Sequence, residues 1–60
     1  MSNSQRLQKL LGGYAESVRG EFYFTIVAAK GHTEDVISIL KAARFFVFYD
    51  EERDEVNASA

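Results

Sequence analysis

Two aromatic-rich apolar runs, Phe22-Tyr23-Phe24-Thr25-Ile26-Val27 and Phe45-Phe46-Val47-Phe48-Tyr49, stand on either side of a segment with helical periodicity. Alternation predicts a strand over residues 21–30, with Phe22, Phe24, Ile26 and Ala28 on one side and Tyr23, Thr25, Val27 and Ala29 on the other. Both sides are mostly apolar, so this strand is expected to be central or covered on two faces. Between the runs, Thr33 is predicted to cap a helix, and Glu34 and Asp35 meet its positive end. Val36, Ile37, Ile39, Leu40 and Ala43 form its buried stripe, and Lys41 and Arg44 suit its negative end. Strand, helix and strand in that order predict a βαβ-like core with parallel strands and a right-handed crossover.

Ahead of this core, Leu7, Leu10, Leu11, Tyr14 and Val18 fall on one helical stripe and predict a helix over residues 4–19. Gly12 and Gly13 oppose it, each costing about 1 kcal/mol relative to alanine inside a helix. The competing reading ends the helix at Leu11 and makes Tyr14 to Val18 a short strand that turns at Arg19-Gly20, although Ala15, Glu16 and Ser17 are poor strand formers. Gly20 is a natural stop for the longer helix. The acidic run from Asp50 to Glu55 closes the second strand, and the residues after it read as a tail. The expected fold is therefore a small α+β domain over residues 1–56, ordered helix–strand–helix–strand, with a flexible tail at 57–60.

Sixty residues bury only about 60% of the surface their unfolded chain exposes. Small chains compensate with disulfides, a metal or self-association, and this one has no cysteine. Two strands alone are marginal in water, so the sheet is expected to be completed by dimerisation. A net charge of −2 weakens the default expectation of a nucleic-acid binder. No apolar segment approaches the roughly 20 residues that cross a bilayer, and the polar start Met1-Ser2-Asn3-Ser4 has no signal-peptide pattern, which predicts a cytoplasmic protein without membrane contact.

Chemistry-bearing patterns are scarce. His32 is the only histidine, and a general base there needs an oriented partner and a pocket that the sequence does not supply, so no enzyme activity, metal or cofactor is expected. Ring stacking on bases wants cations interleaved with the aromatics, and the strands lack them. Arg6, Lys9 and Arg19 are too few and too scattered for a phosphate track. Large aromatics anchor protein contacts, so Tyr23, Phe46, Phe48 and Tyr49, with the acidic Asp50, Glu51 and Glu52, are the candidate protein interface.

Tyr14-Ala15-Glu16-Ser17-Val18-Arg19-Gly20 followed by Phe24-Thr25-Ile26 resembles a framework stretch of antibody heavy-chain variable domains, without that fold's cysteine pair or tryptophan. A βαβ chain of this length is similar to the small tautomerases, whose N-terminal proline has no counterpart here. The expected element order, with a helix starting at Thr33-Glu34-Asp35 between two strands, is similar to small phage-encoded proteins that bind and inhibit host enzymes. The reading that results is a small, self-associating, non-enzymatic protein-binding module that regulates or inhibits a partner protein, the alternative being a nucleic-acid-binding transcriptional regulator.

Overall fold

A computed structural model of the chain describes residues 2–60. Its elements are α1 (Asn3–Leu11), β1 (Ala15–Arg19), β2 (Tyr23–Ala28), α2 (Thr33–Ala42), β3 (Phe46–Asp50) and β4 (Glu55–Ser59). The strands form one antiparallel sheet in the spatial order β1-β2-β4-β3. Leu7 and Leu11 of α1 and Val36 and Leu40 of α2 share a core with Phe24, Ile26, Val56 and Ala58, so both helices cover the same face of the sheet. The domain is α+β, a layer of helices on a layer of strands.

The first helix is shorter than the apolar stripe predicts. Ser2 opens it with a capping box: its hydroxyl accepts from the Gln5 amide at 3.2 Å, and the Gln5 side-chain oxygen accepts from the Ser2 amide at 2.9 Å. Gly12 ends it with φ of 57°, a short 3₁₀ turn follows over Gly12–Tyr14, and β1 begins at Ala15. The expected helix over 4–19 is thus replaced by its competitor, a helix stopping at Leu11 and a strand turning at Arg19-Gly20. Two consecutive glycines lower the cost of leaving the helix, and pairing with β2 outweighs the weak strand propensity of Ala15, Glu16 and Ser17. The junction is tied down where the Ala29 amide donates to the Tyr14 carbonyl at 2.8 Å and the Gln8 side-chain amide to the Ala15 carbonyl at 3.0 Å.

The expected parallel βαβ pair is also corrected. β2 and β3 do run in the same direction on either side of α2, but β4 lies between them and pairs antiparallel with each. Residues 57–59, expected in a flexible tail, belong to that central strand, with Val56 and Ala58 buried. Val56 and Ala58 point to the helices while Glu55, Asn57 and Ser59 point away, a two-residue period partly hidden by how small and polar the residues are. One chain therefore supplies all four strands that two copies were expected to share.

α2 starts with His32 at the N-cap, one residue before the predicted Thr33, and without a side-chain cap bond. It ends in a Schellman motif: the Phe45 amide donates to the Leu40 carbonyl and the Arg44 amide to the Lys41 carbonyl, both at 3.0 Å, with Arg44 left-handed at φ of 67°. Phe45 then packs its ring edge-on to Phe24, centroids 6.1 Å apart.

The element order is a helix–strand–strand unit used twice. A shift of 32 residues turns the pair Phe24↔Ala58 into Val56↔Ile26, so an approximate two-fold axis normal to the sheet passes between Thr25 and Asn57, which face each other. The same operation exchanges the edge strands, Ser17 with Phe46, Val18 with Val47 and Arg19 with Phe48, because each member of a pair sits opposite an equivalent residue of the central strands. It also matches Leu7 and Leu11 with Val36 and Leu40.

Candidate functional site

With both helices on one face, the other face of the sheet has no covering layer. Register places Tyr23, Ser59 and Phe46 in one row across β2, β4 and β3, and Arg19, Thr25, Asn57 and Phe48 in the next. Tyr23, Phe46 and Phe48 keep 61%, 76% and 66% of their surface exposed, while Phe22, at 83%, is exposed beside the cleft on the helix side. Together with Asn57 and Ser59 they frame a groove of about 120 Å³. Thr25 donates a hydroxyl to the Asn57 side-chain oxygen at 3.4 Å on the same face. The groove is aromatic on its walls and polar on its floor, and it lies against edge strand β3.

Internal symmetry supplies a control for these rings. At the places equivalent to Phe46 and Phe48, strand β1 carries Ser17 and Arg19, and the same sheet position is satisfied by both sets. The fold does not require aromatic side chains there. Nor does the core, whose largest fully buried side chains are Leu11, Ile26, Leu40, Val36 and Val56.

Four of the seven predicted interface residues, Tyr23, Phe46, Phe48 and Asp50, stand on this face by register. Tyr49 points the other way, since it stands opposite buried Val56, and its hydroxyl donates to Asp54 at 2.5 Å. That hydrogen bond, reinforced by the charges of Asp54, Glu51 and Asp50, holds the Tyr49 phenol above the ordinary tyrosine value. Asp50 is partly used by the β3–β4 turn, where one carboxylate oxygen accepts from the Glu52 and Arg53 amides at 3.1 and 3.2 Å. Glu51 and Glu52 are exposed in that turn and bound to no side chain among the described residues. Glu55 pairs with Arg19 at 3.4 Å. Much of the acidic run is thus a hairpin turn. Asn57 and Ser59, missed by the sequence reading, were signalled only by their alternation with Val56 and Ala58.

His32 lies in the turn before α2, where its Nδ1 is 2.9 Å from Asp35 and its ring packs against Tyr14 at 5.1 Å. Its partners are those of a helix-entry residue, and no group of three or more metal-binding side chains occurs among the described residues. On the helix side, a cleft of about 510 Å³ is floored by Leu7 and Phe24 and walled by Leu10, Phe22 and Phe45, with Arg6 and Glu21 placing opposite charges on its rim. No helix among the described residues is long and apolar enough to cross a membrane. The sequence matches no protein-family model, and comparison with curated proteins and with solved structures finds no significant match. Of the element order on which the likeness to phage-encoded inhibitors rested, the chain keeps the helix at Thr33 between two strands and adds β1 and β4.

Proposed function

We propose that the chain is a small non-enzymatic binding module that self-associates and docks on a partner protein through the open face of its sheet, with Tyr23, Phe46 and Phe48 as anchors. One observation carries the reading: surplus aromatic side chains gather on an uncovered face at positions where the equivalent half of the same molecule manages with Ser17 and Arg19. Buried aromatic anchors dominate protein interfaces, and exposed apolar side chains gathered into one patch mark interaction sites. Glu51 and Glu52, at the far end of β3, add an acidic rim that favours a partner with basic side chains beside its apolar contact.

Charge weighs against a nucleic-acid ligand. Among the described strand residues of this face the one cation is Arg19, and it is paired with Glu55. The test uses the immobilised chain and its Phe46→Ser/Phe48→Ser variant, both shown to be folded by circular dichroism, against extract of the source cells. A protein retained by the first and lost with the second supports docking through the face. Equal retention by both, or a salt-dependent mobility shift with single-stranded nucleic acid that the variant abolishes, overturns it.

A further inference from the structure

Strand β3 and its flanks read Arg44-Phe45-Phe46-Val47-Phe48-Tyr49-Asp50, a sequence that is its own chemical mirror about Val47. Phe46 mirrors Phe48, Phe45 mirrors Tyr49, and the cation Arg44 mirrors the anion Asp50. In antiparallel pairing about a two-fold axis, each residue meets its mirror position on the same sheet face. We propose that β3 pairs with β3 of a second copy in this register, joining two four-stranded sheets into one of eight strands; the inference rests on the reading above that the chain self-associates.

β3 is one of the two edges of the sheet, so one row of its backbone amides and carbonyls has no partner strand. The two edges differ in how they meet solvent. β1 is interrupted by a bulge between Ala15 and Ser17 and exposes Glu16 and Arg19, the usual devices that discourage pairing. β3 pairs in regular register from Phe46 to Asp50, with no lysine, proline or bulge, and with Phe46 and Phe48 bare. One open edge and one blunted edge make assembly stop at two copies.

In the proposed register Val47 faces Val47 of the second copy on the helix side, and Phe45 faces Tyr49. On the open side, each Phe46 meets Phe48 of the other copy, so four phenylalanines form one band flanked by the two Tyr23 rings. The ends bring Arg44 beside Asp50 of the second copy, a complementary pair formed twice. Arg44 sits in the left-handed Schellman position that glycine fills without strain, so its presence there is not explained by the needs of the helix end.

The chain has no cysteine, which makes single-cysteine variants clean reporters. Light scattering at about 100 μM is expected to give twice the chain mass, a concentration at which a micromolar dimer is nearly saturated. On mild oxidation, Val47→Cys is expected to link to itself. Phe46→Cys and Phe48→Cys are each expected to stay unlinked alone and to link when mixed, because residues two places apart across the ladder lie beyond disulfide reach. Arg44→Gly is expected to keep the fold and raise the dimer dissociation constant about tenfold. A chain mass of one copy, or Phe48→Cys linking to itself as well as the mixture does, overturns the pairing. A single-copy chain that still holds a partner protein through Phe46 and Phe48 sinks this dimer and spares the docking reading. A dimer of this register that holds no partner protein does the reverse.

Discussion

Gly20 carries the β1–β2 turn at φ of 114°, and a Cβ there would run into the Tyr23 carbonyl oxygen. Gly13 has open space around it and an ordinary φ. Gly20→Ala is therefore expected to destabilise the chain by about 2 kcal/mol or more, while Gly13→Ala stabilises it by about 0.5 kcal/mol. Urea midpoints of the two variants moving in the same direction would refute this assignment. At Arg44, the left-handed backbone costs a side-chain-bearing residue about 1 kcal/mol, so Arg44→Gly should raise monomer stability by up to about that amount. Tyr49 has a sign that can be worked out. Its pKa is raised in the folded state by the Asp54 hydrogen bond and the neighbouring carboxylates, so the stabilisation is present below the unfolded value of 10.0 and is lost as pH climbs through the folded one. Ultraviolet titration should show a phenol step above 10.0 that Tyr49→Phe removes.

At the scale of elements, the two amphipathic helices are held by four side chains in matching places, Leu7 and Leu11 on α1, Val36 and Leu40 on α2. Leu40 is fully buried, and truncation to alanine leaves a cavity costing about 3 kcal/mol. A chain this short has a total stability on the order of 3–9 kcal/mol, so Leu40→Ala should be partly unfolded at room temperature. Phe48→Ser, on the bare face of β3, should change monomer stability by no more than about 0.5 kcal/mol. Thermal unfolding of both variants in dilute solution checks the contrast, and a large loss at Phe48 would mean that the ring belongs to the fold and not to an interface.

Across the whole molecule, one layer of helices leaves a sheet with an open face, and that openness is what the proposed docking uses. Self-association through β3 would couple stability to concentration, since whatever binds the folded state raises its apparent stability. The thermal midpoint should climb by several degrees as the chain is concentrated from about 1 to 100 μM, whereas Phe48→Lys, with a charge on the exposed side of the pairing strand, should hold a constant midpoint. An invariant midpoint for both would deny the dimer.

Local chemistry announced much of this architecture. The acid-then-base order of residues 34–44 marked α2, alternation at Tyr23, Phe24, Thr25 and Ile26 marked β2 and its two faces, and the glycine pair at 12–13 marked where α1 could stop. Phe46 and Phe48 were legible as candidates for exposure because a chain of sixty residues buries only about 60% of the surface that it exposes when unfolded. Pairing was decided elsewhere. Whether residues 15–19 continued a helix or joined a sheet depended on hydrogen bonds to residues 25–28, and whether residues 55–59 frayed or became the central strand depended on two partners at once, β2 and β3. Short weak strands have no intrinsic preference strong enough to choose, so the choice falls to neighbours distant in sequence, and with it the face on which Tyr23, Phe46 and Phe48 come together.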